Sequence, residues 1–489
     1  MRRRALVPAA LLLLAGCTVG PNYRRPEVSV PPDFRGRQAD VPAGAASLAD
    51  IAWWELFGDE TLVSLIRTAL VENYDLRIAV ARVLDARAQV TIARSFQFPE
   101  LSGAASAPYT RITGDRAPVP TEFKETFNPL GTLDLFWEID LWGRLRRATE
   151  AARADLLASA DAQRFVVTTL VSDVATAYFQ LRELDLELEI ARRTLASRQN
   201  SLQLVKLRFQ GGVAALIDVR QAEVLVYTAA ETIPDVLRRI EQTENLISVL
   251  LGRSPEAMPR GRTLPETLAL MPPAVPPGLP SSLLERRPDI RQAESHLAAA
   301  TARIGVARAD YFPRVMLTGS GGAGGLAING NWFGPTGLLT VAPQVTLPIF
   351  NMGRIGAGVN SAEARAQETL VRYQQTIQQA FREVSDALFE HQRRMEFRAQ
   401  QEPLVAALRD AAQLANIRYR GGVTSYLEVL DTERQLFETE LALAQVQRDE
   451  LLAVVRLYRA LGGGWASQPS PRPGQEHAAR PSARGAADR

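Results

Sequence analysis

The stretch "RYRGGVTSYLEVLD" at residues 418–431 sets two glycines between an Arg-Tyr pair and an apolar run that ends in Asp431, and nearly the same words stand earlier as "RFQGGVAALIDV" at 208–219. A glycine pair that closes a helical pattern signals reversal, because a helix that ends tightly needs φ > 0 at its C-terminus and glycine adopts it at least cost. The pairs Gly211-Gly212 and Gly421-Gly422 lie 210 positions apart, so the chain makes the same turn twice at a long spacing.

Other echoes extend the repeat. "NYDLR" (73–77) resembles "RPDIR" (287–291) and "ARSFQFPEL" (93–101) resembles "ARADYFPRV" (307–315), both at an offset of 214; "IDLWGR" (139–144) against "IFNMGR" (349–354), and Leu251-Gly252 against Leu461-Gly462, are offset by 210. One duplicated unit fills most of the chain. Repeat 1 spans 59–252 and repeat 2 spans 281–464, joined by a proline-rich linker at 253–280. The four-residue change of offset falls where a loop absorbs it cheaply.

Within each repeat the hydrophobic period changes in a fixed order. It is helical over 59–98 and over 281–310, with a break before Pro288, then strand-like. In 132–141, Leu133, Leu135, Trp137, Ile139 and Leu141 alternate with Thr132, Asp134, Phe136, Glu138 and Asp140; in the second copy Leu339, Val341, Val345, Leu347 and Ile349 alternate with Thr340, Ala342, Gln344 and Thr346. Such alternation gives a strand one apolar and one polar face, and Leu101–Ile112 and Arg314–Leu326 supply partners. Each repeat therefore holds one β-hairpin, at 100–142 and 313–352.

Long helices follow. From Leu156 to Phe209 a stripe stepping by four and three is apolar except at Gln163 and Arg198, a 3.5-residue repeat suited to packing along neighbouring helices. Arg144 to Phe209 and Arg354 to Tyr419 would each reach about 100 Å at 1.5 Å per residue. Tip turns at 209–215 and 419–425 lead into return helices of about half that length, near 216–250 and 425–461. Pro234 and Pro403 fall inside helices and are expected to bend them.

The 489 residues carry a formal charge of +2, which gives no footprint for nucleic acid. Arg2-Arg3-Arg4, a short apolar run and "LAGC" at 14–17 form a secretory signal over 1–16 that matches the bacterial lipoprotein type. Cys17 is the single cysteine, so it forms no internal disulfide; it is expected to carry the lipid and to begin a lipidated extended segment over 17–58. Thr18, in place of Asp, resembles an outer-membrane address. The proline-rich end, 465–489, is expected to be disordered. No later stretch has the roughly 18 uncharged apolar residues of a spanning helix, so any crossing must use strands. Four strands leave open edges, which lipid does not tolerate. Two chains would give eight strands, whose interior side chains fill; three give twelve and a lumen.

In this order and on this scaffold, "CTVGPNYRRP" (17–26), "WWELFGDETL" (53–62), "LLERRPDIRQAE" (283–294), "RYRGGVTSYLEVLD" and "LYRALGGGW" (457–465) resemble the TolC-like outer-membrane factors, in particular the NodT-type efflux lipoproteins. The resemblance implies an α+β membrane protein in which three chains complete a twelve-stranded outer-membrane barrel on a long periplasmic helical barrel. It implies a homotrimer in outer-membrane lipid, coupled to a periplasmic adaptor and an inner-membrane transporter of the resistance-nodulation-division type, with no cofactor besides the lipid on Cys17 and no nucleic-acid partner. Gly211, Gly212, Val213, Gly421, Gly422 and Val423 would present the tip to the adaptor. Leu427, Asp431 and Arg434, at i, i+4 and i+7 on one helical face, would face the pore and close it. Asp431 would pair with Arg418 in the shut state, and Tyr419 would hydrogen-bond to a neighbouring helix. The first copy has Gln221 where the second has Asp431, which places the charged gate in repeat 2.

The function implied is an export duct of a tripartite efflux system; a type I protein-secretion duct and a coiled-coil lipoprotein scaffold without a pore are the alternatives. An enzyme is disfavoured, because His296, His391 and His477 are the only histidines and no residues have metal-ligand spacing.

Overall fold

The computed structural model describes residues 18–36, 47–112, 125–271 and 276–464; the signal segment 1–16, Cys17 and the tail 465–489 lie outside them. The chain divides into two compact units, one of Met1–Val28, Ala79–Ala162 and Asp289–Thr376, the other of Ser29–Ile78, Gln163–Pro288 and Ile377–Arg489.

The first unit holds the sheet. Its strands are β1 (Glu100–Ser106), β2 (Tyr109–Arg111), β3 (Glu125–Phe127), β4 (Leu130–Ile139), β5 (Arg314–Ile328) and β6 (Asn331–Thr346). β1 pairs with β4, β2 with β3, both β3 and β4 with β5, and β5 with β6, all antiparallel. The expected four strands are thus present as lines, but two of them are interrupted. The breaks share one level: Pro129 has no N–H to give the ladder, its carbonyl accepts from Gly325 N at 2.9 Å, Asn128 N donates to Pro108 O at 3.0 Å, and β5 shifts register between Gly324 and Leu326. Leu141, Leu347 and Ile349, expected on strands, fall outside them, since β4 stops at Ile139 and β6 stops at Thr346, before Pro348.

Residues opposite one another in a ladder share a face. Leu101, Leu133, Leu135, Trp137, Leu317, Leu339 and Val341 stand on one face; Ser102, Thr132, Asp134, Thr318, Ser320 and Thr340 stand on the other. Every residue of β6 is exposed, and the outer edges of β1–β2 and of β6 have no strand beside them among the described residues.

Besides two short turns of helix at Leu48–Asp50 and Trp53–Leu56, the helices are α1 (Glu60–Glu72), α2 (Tyr74–Ser95), α3 (Arg144–Gln210), α4 (Leu216–Leu250), α5 (Leu264–Leu270), α6 (Pro280–Arg286), α7 (Pro288–Ala309), α8 (Arg354–Arg420) and α9 (Tyr426–Ala460). The helical pattern of 59–98 is split at Asn73, whose Oδ1 accepts from Leu76 N at 2.9 Å and so caps α2. α5 was not expected inside the linker; Glu266 accepts from Thr263 N at 2.9 Å and starts it. α3 and α8 each run 67 residues; α8 continues past Pro403 and α4 past Pro234. The stripe predicted on α3 is buried or half-buried from Leu156 to Val205 and emerges at Phe209. No described helix is long and apolar enough to cross a membrane.

In the first unit the chain just after Cys17 is held at the foot of β4. Val19 N donates to Trp142 O at 3.0 Å, and the Arg147 guanidinium donates to Gly20 O and to Asn22 Oδ1 at 2.6 Å. A Cβ on Gly143 would stand 2.7 Å from Thr18 Cγ2, so this junction needs glycine for space as well as for its φ of +79°.

Candidate functional site

The two glycine turns end α3 and α8 in the same way. Gly212 N donates to Phe209 O and Val213 N to Arg208 O, both at 3.0 Å; Gly422 N donates to Tyr419 O and Val423 N to Arg418 O, also at 3.0 Å. This pair of bonds is the Schellman closure, and its left-handed residue is the second glycine of each pair, Gly212 at φ +76° and Gly422 at +73°. The first glycine differs from expectation: Gly211 and Gly421 have no positive φ, and a Cβ on either would meet nothing nearer than 3.5 Å. The turn requires one glycine and is given two. Gly211, Gly212, Val213, Gly421 and Gly422 are all exposed, and Val423 is 72% exposed, leaving bare backbone at the tip.

Behind the turns Val205, Val219, Ala222, Ala415, Tyr419, Tyr426 and Val429 form one buried cluster from both helix pairs; each large side chain contributes roughly 1.5–3 kcal/mol. Tyr419 and Tyr426 meet edge to face, with ring centroids 5.3 Å apart. The Arg208 guanidinium lies 4.5 Å from the Tyr419 ring centre, and its Nη1 donates to Tyr419 O at 2.6 Å. The Tyr419 hydroxyl is buried without a hydrogen-bond partner, contrary to the bond expected of it: the ring points into the apolar cluster, and burial raises its pKa. Phe209, at the same place in the first repeat, is exposed instead.

Leu427, Asp431 and Arg434, expected to form the gate, lie on one exposed face of α9, where Leu427 is 58% exposed. Asp431 accepts from Arg434 at 3.2 Å and from Gln435 at 2.7 Å on its own helix. Within the chain Arg418 pairs with Glu428 at 3.5 Å rather than with Asp431; Glu428, one turn earlier on α9, also accepts from Thr424 Oγ1. In the first repeat Asp218, at the position of Glu428, caps its helix by accepting from Ala215 N at 3.1 Å. Arg208 and Arg418 occupy equal places in the two repeats yet have different partners. The sequence showed that equivalence, but not the role of Arg208.

Farther along the second unit, Glu183 and Glu187 on α3 are buried. Arg448 lies 3.2 Å from Glu183 and Arg239 lies 2.8 Å from Glu187, while Gln445 donates to Glu187 at 3.1 Å. One Glu183 oxygen has no partner, and burial, helped by Glu187, pushes its pKa up to about 8 against the opposing pull of Arg448 and Arg239. No described group of His, Cys, Asp and Glu is arranged to hold a metal ion.

Comparison with known proteins agrees with this architecture. A family model described as outer membrane efflux protein matches residues 65–253 and 279–463, one segment for each repeat. The solvent efflux pump outer membrane protein SrpC of Pseudomonas putida is 37% identical over 472 residues, covering 95% of this chain and 99% of its own length. The cation efflux system protein CusC of Escherichia coli (strain K12) is 35% identical over 453 residues, covering 93% and 97%. Among solved structures, the outer-membrane channel OprN superposes with a TM-score of 0.81 at 33% identity over 92% of this chain and all of its own. The open state of the MtrE outer membrane channel of Neisseria gonorrhoeae gives 0.80 at 31% identity, over 92% and 99%. With both repeats matched and the TolC-like channel fold shared, the chain belongs to the outer membrane efflux protein family.

Proposed function

We propose that this chain is the outer-membrane export duct of a tripartite efflux system. The observation that carries the reading is the sheet: four strand lines with one apolar and one polar face, and no further strand at either edge among the described residues. Open edges cannot stand in lipid. Three copies closing edge to edge give twelve strands, with the apolar face in the bilayer and the polar face around water. A lipid on Cys17 fits the same placement, since Thr18 packs at the foot of β4, the end of the sheet from which α3 departs.

The bare glycine tips are the docking surface for a periplasmic adaptor, and the adaptor joins the duct to an inner-membrane transporter of the resistance-nodulation-division type. Leu427, Asp431 and Arg434, repeated three times, form the closure at that end: an apolar ring beside a charged one. Energy and substrate choice belong to the transporter; this chain carries no catalytic step. The solvent efflux and cation efflux for which its relatives are named mark the classes of cargo to test first.

The deciding experiment is planar-bilayer conductance of the purified protein and of its Asp431→Ala and Arg434→Ala variants. Stepwise channels, larger or more often open in the variants, are expected. No conductance from any of the three would sink the duct reading.

A further inference from the structure

We infer that Asp134, on the polar face of the sheet, selects for cations in the membrane-spanning part of the duct. The inference rests on the duct reading above and adds a property that the tip does not supply.

Most charges on the described strands are cancelled locally. Arg111 pairs with Glu125 at 3.2 Å, Glu138 with Arg144 at 2.6 Å, and Arg314 with Asp310 at 2.6 Å. Among the described strand residues, Glu100 and Asp134 are the carboxylates outside an ion pair. Glu100 is the first residue of β1, at the sheet's end, whereas Asp134 stands in the middle of β4. The register sets Ser102, Asp134, Ser320 and Thr340 side by side across all four strand lines, and Thr132 Oγ1 donates to Asp134 Oδ2 at 2.9 Å from the same face. This row offers hydroxyls and one negative charge, with no cation in it. An unpaired carboxylate tolerates such a place only when it meets water, which on this sheet means the lumen.

Three copies turn the row into a ring. Twelve strands about 4.8 Å apart, tilted about 40°, close at a radius of about 12 Å, so inward-reaching carboxylates stand about one Debye length from the axis at 0.1 M salt. Coulomb's law in water, reduced by that screening, enriches monovalent cations about two-fold at the axis and depletes anions about two-fold, a change of about four-fold in the permeability ratio. At 1 M salt, where the Debye length is about 3 Å, the preference disappears.

The test is the reversal potential of single channels under a KCl gradient near 0.1 M, in the Asp431→Ala background, which removes the acidic ring of the tip. The parent channel is expected to prefer K+ over Cl−. Asp134→Asn should lower that ratio about four-fold, Asp134→Lys should favour Cl−, Asp134→Glu should keep the parent ratio, and the differences should vanish at 1 M. Conducting Asp134→Asn channels with the parent ratio at 0.1 M would overturn the inference while leaving the duct intact. If no variant conducts, the duct reading fails and takes this one with it.

Discussion

Arg208 Nη1 donates to Tyr419 O at 2.6 Å while its guanidinium covers the Tyr419 ring, so the last turn of the first long helix is tied to the last turn of the second. The bond caps a helix C-terminus, where a cation is favoured by the dipole. Arg208→Ala should loosen the tip by about 1 to 2 kcal/mol, seen as faster hydrogen exchange of the amides of 417–423 with exchange in β4 and β5 unchanged. Equal exchange in wild type and variant would mean that the apolar cluster alone holds the two helix ends together.

The two glycines of each turn should separate structure from docking. Gly212→Ala and Gly422→Ala put a Cβ at φ +76° and +73°, which costs about 1 kcal/mol or more. Gly211→Ala and Gly421→Ala meet no strain and no atom nearer than 3.5 Å, so thermal stability should hold or rise slightly. Docking of a periplasmic adaptor, measured on immobilised protein, should nonetheless weaken in the Gly211 and Gly421 variants. Undiminished docking would leave the first glycine of each pair without a purpose.

Much of this was legible because it rests on period and repetition. A stripe that continues from Leu156 to Val205 can only be one long helix with a packed side, and the duplicated glycine turns fixed where it ends. What escaped the sequence depends on residues brought together from distant places. Pro108, Pro129 and Gly325 interrupt the sheet because they meet at one level across three strand lines, which no single strand reveals. The Tyr419 hydroxyl makes no hydrogen bond because its ring points into the apolar cluster, while Arg208 from the other repeat engages the ring face and the carbonyl. Arg418 turned to Glu428 because the helix start brought that carboxylate nearer than Asp431. Helix α5 did leave a signal, Thr263 followed three residues later by Glu266, in a segment whose prolines suggested only a linker.

Glu183 gives the helical part a pH dependence. Its folded-state pKa, about 8, stands above its ordinary 4.5, so its protonated form supports the fold fully below pH 4.5, and that support is lost as pH rises through about 8. Melting temperature in detergent should therefore decline from pH 5 to pH 9, and Glu183→Gln, which keeps the shape without the charge, should flatten the decline. A Glu183→Gln profile parallel to wild type would show that Arg448 holds the carboxylate ionised throughout.

Gly322 offers a test of the β4–β5 ladder on which the proposed barrel depends. It lies opposite Thr132, and a Cβ there would fall 2.1 Å from Gly131 O and 3.0 Å from Thr132 Cα. Both obstacles are backbone, so neither can swing aside, and the strands would have to part. Overpacking of this kind costs about 1 to 3 kcal/mol. Gly321, its neighbour on the apolar face, would place a Cβ 3.7 Å from Leu339 Cδ1, an ordinary contact. Gly322→Ala should therefore reduce the fraction of folded trimer, read by gel mobility with and without heating, while Gly321→Ala leaves it near wild type. Equal yields from the two variants would show that the ladder tolerates a wider spacing at Gly322 than this register allows.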